Sequence, residues 1–524
     1  EGDSYPAAEA SVEPWCRELG LPPAVAEELT KEDVREPRDL ATVPEAEVDA
    51  LLKDCGASLG ARGRAIAALR EATFRPLVPV TPSASVAQSR PRVAVFGGGT
   101  ACNALVSSFA AWNPRVSYVI AVTDNGGSTS EILRVLGGPA IGDIRSRLVR
   151  LSRCYLERPG VGSDERRIVH LLEHRLPSEV ESAQAEWSKL LEGQHSLYSG
   201  LDGAYVQVIQ SFLLTFHTEI MRRAVAVDCG LSTEVDGVVG EFGVEAHRRF
   251  DFRRASVGNC FFTGVRLHFG SLPAAILMWT RIARVPPETK VLPGVNANFM
   301  MTIGAELEDG TRLIGQTNIS HPPAPTGGTK DTGKLPLPSP VKRLFFVNRH
   351  GQQIQQKLPA NEQVVAAVKS SDIIVYAMGS LWTSICPNLC LPDVAAAVLG
   401  QSVPKVLLLN GEPDRETMSS GPTGVVSMNA ADFVHAICRA CSLFEDREIV
   451  WTDYVTDVVA ASGSTLLTPA ARQTLEDHGV CVRTVPSAPA RPGWFDPVTA
   501  VQQIAALAGS PWAAGAKPRS DSVF

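Results

Sequence analysis

Four short apolar runs constrain this chain more than any other feature: residues 92–96 (RVAVF), 118–122 (YVIAV), 372–377 (DIIVYA) and 405–409 (KVLLL). None shows the polar alternation of a strand with one wet face. Such runs are strands covered on both sides, the usual state of a parallel sheet. Helical patterns over residues 101–111 and 392–399 stand between them. The sequence therefore predicts a doubly wound α/β fold with a mainly parallel sheet.

The chain has 524 residues, and one hydrophobic core stops growing at roughly 250–300 residues, so at least two domains are expected. Residues 11–75 carry apolar positions at helical spacing and read as a small all-α domain. Residues 76–91 hold four prolines without either period and read as a semi-rigid linker. The α/β body then spans 92–510, and 511–524 form a tail. Between 157 and 223 the pattern turns mostly helical, with a long helix around 206–221, a helical insertion beside the sheet. Residues 321–340, with six prolines and three glycines, sustain neither period and read as a surface loop, an inserted lid.

A net charge of -7, with the basic residues scattered, gives no field for a nucleic-acid backbone. No apolar run approaches the ~20 residues of a membrane span; the richest, 206–216, is broken by Gln207, Gln210 and Ser211. Eleven cysteines in apolar contexts read as reduced core thiols, the pair Cys438 and Cys441 included, because no second ligand pair stands at zinc spacing. A cytoplasmic protein is expected, with an organelle left open because a targeting segment upstream of Glu1 is compatible with a chain that opens on Glu.

In open α/β sheets ligands bind beyond the carboxyl ends of the strands. The first run leads into Gly97, Gly98, Gly99 and Thr100 and then a helix, whose amides and dipole suit an anion; the alternative is a tight strand–helix turn. The second leads into Asp124, Asn125, Gly126, Gly127 and Ser128, with Asp143 and Arg145 soon after. Two carboxylates beside a phosphate loop suit magnesium; the alternative is a pair of helix N-caps. The third leads into Gly379, Ser380, Thr383 and Ser384, with Asn388 beyond. Ser380 is no nucleophile elbow, since the second glycine of that motif is missing. His170 and His174 stand four apart without an evident third ligand and read as a solvated helix face.

These motifs, with Val257-Gly258-Asn259, residues 291–293 (VLP), 305–310 (AELEDG) with Gly315, and 495–497 (FDP), resemble the CofD-like superfamily in order over 92–507. That group includes 2-phospho-L-lactate transferases and gluconeogenesis-factor (YvcK-like) proteins, and the later motifs read nearer the second branch. The resemblance implies a nucleoside diphosphate ligand held by Gly97 to Thr100 and Gly379 to Ser384. It places Asp124, Asp143 and Asn259 near the reacting or metal-binding end. It further implies transfer of a phosphoryl-linked group to a hydroxyl acceptor of deazaflavin type or, alternatively, non-catalytic binding of a nucleotide sugar. Asn125 departs from the two adjacent acids common in the family, and insertions around 164–194 and 321 depart as well. The N-terminal segment resembles a sterile-alpha-motif (SAM) domain through Trp15, Leu19-Gly20-Leu21, Asp39-Leu40, Cys55-Gly56 and Leu59-Gly60-x-Arg62, which implies a protein partner or self-association.

Overall fold

The apolar runs followed by glycine fold as parallel strands. The computed structural model describes residues 16–17, 19–31, 45–58, 60–62, 65–66, 90–124, 126–156, 162–228, 249–295, 299–320, 335–348, 350–355, 357–443, 448–489 and 491–509. The chain divides into two compact units between Ser89 and Arg90.

In the first unit helices Pro23–Lys31 and Glu45–Asp54 bury Val25, Leu29, Val48 and Leu52 in a core that also takes Leu21, Ala57 and Ala61. Arg62 pairs with Asp49 at 3.0 Å. Trp15, Asp39, Leu40, Leu59 and the expected linker over 76–89 lie outside the described residues, as do the loop over 321–334 and the tail.

The strands of the second unit are β1 (Val93–Phe96), β2 (Val116–Ile120), β3 (Lys290–Pro293), β4 (Met301–Leu307), β5 (Arg312–Ile314), β6 (Val341–Asn348), β7 (Ile373–Tyr376), β8 (Lys405–Leu408), β9 (Met418–Gly421), β10 (Gly424–Ser427), β11 (Asp457–Ala461), β12 (Cys481–Val485) and the short antiparallel pair β13 (Ser487–Ala488) and β14 (Arg491–Phe495). Seven of them make one sheet in the order β12-β11-β8-β7-β1-β2-β3. Every pairing in it is parallel. Three more form an antiparallel sheet, β5-β4-β6, and β9 and β10 a hairpin. The expected α/β class is the observed one, and β1, β7 and β8 are buried along their whole length, as strands without alternation require.

The second strand starts and ends two residues before the run 118–122. Its end is set from outside: the carbonyl of Ile120 accepts from the amide of Gly294 at 2.9 Å, and that of Val122 accepts from Ala140 at 3.1 Å, so Val122 already belongs to the turn. The single helix expected over 101–111 is two, Gly99–Asn103 and Val106–Trp112.

The helical insertion comprises helices Ser163–Glu173, Val180–Glu192, Gly203–Asp228, Val257–Phe269 and Leu272–Ile282. Gly264 leaves no room for a Cβ against the carbonyl of Phe212, so the third and fourth of these cross backbone to backbone. Among the described residues no single helix is long and apolar enough to cross a membrane.

The strand order fixes where a ligand fits. From β1 the chain proceeds to β2 and β3 on one side, while β7, β8, β11 and β12 extend the other. The turns after β1 and β7 therefore flank the point where the order reverses, the crevice in which open α/β sheets bind ligands.

Candidate functional site

The amide of Ala377 donates to the carbonyl of Phe96 at 2.9 Å, which brings the ends of β7 and β1 level and their turns face to face. In the first turn Gly99 has φ +68, a conformation that L side chains rarely adopt. Gly98 is extended and has no such strain. Its constraint is space: a Cβ there would stand 2.5 Å from Oδ2 of Asp143 and 3.6 Å from Oγ of Ser384. Gly98, Asp143 and Ser384, widely separated in sequence, thus meet at one point.

Asp143 lies in the first turn of helix Gly142–Leu156, yet its carboxylate accepts from the amide of Gly99 at 3.0 Å, across the crevice. Asp124 accepts from the amide of Gly126 at 2.9 Å, closing the turn before helix Gly127–Leu136. Asp143 therefore ties two elements together rather than capping its own helix, and Asp124 makes a local Asx turn. Oδ1 of Asp143 and Oδ2 of Asp124 have no hydrogen bond among the described residues. Burial, and then the Asp124 charge, push the Asp143 carboxyl up to about 6, while the Gly99 amide and Arg147 pull it down. Two neighbouring carboxylates, each with an oxygen that takes no hydrogen bond among the described residues, make a donor set that fits a hard divalent cation whose other ligands are phosphates and water.

Around this pair the structure gathers further residues. Thr129 is buried, with Oγ1 2.7 Å from the place of a Gly142 Cβ; the same place lies 4.0 Å from Oδ2 of Asp124. Oγ1 of Thr317, on helix Gln316–Ser320, lies 3.5 Å from the place of a Gly126 Cβ. Arg147, 1% exposed, lies under the first turn: Nε donates to Oδ1 of Asn103 at 2.7 Å, Nη2 reaches the carbonyl of Gly97 at 3.4 Å, and the guanidinium stands 4.6 Å from the Tyr118 ring centre.

Gly379 opens the third turn, and Asn410 holds it from the end of β8. Its Oδ1 accepts from the Gly379 amide at 2.8 Å and its Nδ2 donates to the Gly379 carbonyl at 2.9 Å. Residues Leu381–Ile385 then form a π-helix, a form frequent at functional sites. Asn388 is buried, donates to the carbonyl of Ser384 at 3.1 Å and packs on Gly294. Arg145 and Asn259 join each other, Nε to Oδ1 at 2.8 Å, and burial followed by the charge of Arg175 lowers the Arg145 guanidinium to about 10. Asn125 and the side chains of Thr100 and Ser128 lie outside the described residues.

The other candidates settle in place. Cys438 and Cys441 are buried in helix Ala430–Cys441, and burial pushes the Cys438 thiol up to about 12. His170 is exposed, but His174 is not on a solvated face: its Nε2 contacts Oε1 of Glu186, which His195 Nε2 also reaches at 3.2 Å. Among the described residues these three make the one grouping of three or more His, Cys, Asp or Glu with metal-ligand atoms in reach of each other. The Leu197 amide donates to His195 Nδ1 at 3.1 Å, so the His195 proton sits on Nε2 and faces the carboxylate. An imidazole with both nitrogens so engaged has no lone pair left for a metal.

An open, doubly wound sheet whose reversal point is lined by glycine turns and paired aspartates defines the class: an α/β protein with a crevice at its switch point. The chain belongs to the CofD family, whose model, described as 2-phospho-L-lactate transferase CofD, matches residues 93–481. Its relatives include an uncharacterized protein of Saccharomyces cerevisiae, YNL011C, 30% identical over 433 residues that cover 70% of this chain and 89% of the relative. The gluconeogenesis factor of Halalkalibacterium halodurans is 23% identical, covering 70% and 80% of the two chains. That of Bacillus subtilis is 22% identical, covering 66% and 74%. A crystal structure of a Bacillus halodurans protein of the UPF0052 family is similar with a TM-score of 0.49 and 19% identity, covering 79% of this chain and 98% of that one.

Proposed function

We propose that this chain is a transferase of phosphorus-containing groups, moving a phosphoryl-linked group from a nucleoside diphosphate conjugate to a hydroxyl acceptor of deazaflavin type, with release of nucleoside monophosphate. The observation that carries the reading is the meeting of Gly98, Asp143 and Ser384, with Asp124 beside them. The turn Gly97 to Thr100 and the donors Ser380, Thr383 and Ser384 would cradle the diphosphate, with the buried charge of Arg147 beneath it. Asp124 and Asp143 would hold magnesium through the oxygens that no backbone amide occupies. The cation would supply charge neutralisation on the phosphates, the largest need of phosphoryl transfer. The acceptor oxygen bonds to phosphorus, the bond from phosphorus to the departing monophosphate breaks, and the carboxylate pair takes the hydroxyl proton.

A second reading has its own support. Relatives named gluconeogenesis factor match about two thirds of the chain, and Asn125 stands where the family commonly has a second acid. On that reading the crevice binds a nucleotide sugar as a signal without chemistry. Purified full-length protein with magnesium, a guanylated phospholactate donor and a deazaflavin is expected to release guanosine monophosphate. Calorimetric binding of a UDP-sugar with no release from any donor would replace the transferase by the binding protein.

A further inference from the structure

Behind the third turn stands a carboxyl group that neither reading uses. Glu416 belongs to the short helix Arg415–Thr417, which Asp414 fixes by a capping box with Thr417. It is 3% exposed. Oγ1 of Thr383 donates to its Oε1 at 3.4 Å, whereas its Oε2 is sealed from water without any hydrogen bond. The hydroxyls of Ser380 and Thr383 and the amide of Trp382 favour its charged form, but burial and then the charge of Asp414 outweigh them and push the carboxyl up to about 8. Ser380 and Thr383 are among the donors assigned to the phosphates. A hydroxyl has one proton: given to Glu416, it is withheld from the ligand.

We propose that Glu416 is a positioning residue for the anion: from behind the third turn it decides where Ser380 and Thr383 direct their protons, so that the turn accepts a phosphate while Glu416 is uncharged and resists one when it is ionised. The inference rests on the nucleotide reading of the crevice. An ionised Glu416 draws both hydroxyls backward and sets a negative charge in a low-dielectric layer behind the phosphate, where little water screens it. A neutral Glu416 leaves the hydroxyls free to turn outward and adds no field.

Several titratable and charged groups face Glu416 from the elements packed against it. Asp414 is on its own segment and Cys386 on the adjoining helix, where burial raises the thiol well above its ordinary value. The cavity of about 280 Å³ that Glu416 lines together with Trp382 brings in Glu308, Asp432, His435 and Arg439. Arg439 lies 3.8 Å from Glu308 and donates to the carbonyl of Lys342 at 2.7 Å. Asp432 accepts from the Asn429 amide at 2.8 Å. Burial and Arg439 lower His435, which is neutral throughout. Asp143, at about 6, has finished titrating below this window.

Calorimetric titration of full-length protein with UDP and GDP, in magnesium, from pH 7 to pH 9.5 tests the proposal. Anion binding favours the protonated carboxyl, so wild-type affinity should fall about tenfold as pH rises through 8. Glu416→Gln, neutral at every pH and of the same shape, should keep the affinity at pH 7 and flatten the profile. A role confined to packing would lower thermal stability in Glu416→Ala and leave the pH profile of folded Glu416→Gln like that of wild type. That matching profile, with wild type binding well, overturns the proposal alone; a wild type that binds neither nucleotide at any pH overturns the nucleotide reading with it.

Discussion

The Cβ that Gly98 lacks would stand 2.5 Å from Oδ2 of Asp143, the oxygen that accepts from Gly99. The glycine is needed because a carboxylate from another element closes over it. Its own φ, -108, is open to any residue. Gly98→Ala should therefore fold without backbone strain and push the carboxylate aside. We expect nucleotide affinity in magnesium to drop at least tenfold, about 1.4 kcal/mol, while the thermal midpoint moves little. Gly98→Val should abolish binding. Calorimetry and a melting curve on each variant check this, and normal binding by Gly98→Val would reduce the first turn to a connection.

Asp143 gives a prediction about pH and metal. Its carboxyl is raised from 3.8 to about 6 by folding, so between those values the native state holds a proton that the unfolded chain has lost. Stability without metal should then fall as pH rises from about 4 to about 6, and stay lowered above that. A divalent cation reverses the penalty, because it takes the place of the proton, and magnesium should raise the thermal midpoint more at pH 7.5 than at pH 5. Asp143→Asn should melt higher than wild type in chelator at pH 7.5 and lose most of the magnesium effect. An unaltered magnesium effect in that variant would leave Asp143 only its tie to Gly99.

Runs buried on both faces carry their signal locally, so β1, β7 and β8 were legible; β11 (Asp457–Ala461) is of the same kind and is followed directly by Ser462, Gly463, Ser464 and Thr465, so it carried the same signal. The end of β2 was not legible, since the amides of Gly294 and Ala140 decide it from far along the chain. Glycines and aspartates of the site announced themselves by following strands. Asn410 offered the same signal, directly after the run 405–409, and a strand-end search would have found it. Arg147, Thr317 and Glu416 offered none, because each matters only through tertiary approach to a turn. His174 was misread for the same reason: its partners Glu186 and His195 lie on other elements.

The N-terminal unit has its own core of Val25, Leu29, Val48 and Leu52. The resemblance of residues 11–75 to a sterile alpha motif makes it a proposed association module. The first anchors of the α/β unit mark where a cut is harmless. The carbonyl of Arg90 accepts from Arg115 at 2.8 Å, that of Pro91 accepts from Asn113 at 2.5 Å, and Arg92 binds Asp372 through its amide at 2.7 Å and its guanidinium at 2.8 Å. A chain shortened to begin at Ser89 keeps all of these and should fold and bind nucleotide as the full chain does. One shortened to begin at Val93 loses them and should melt lower. Head-to-tail contacts between such modules are heterologous and give open chains or rings, so the full-length protein should form larger assemblies as concentration rises. Light scattering on the full chain and on the chain from Ser89 decides it: equal masses per protomer across a wide concentration range would reject self-association and leave a different protein as the partner, and an unfolded chain from Ser89 would reject the domain boundary itself.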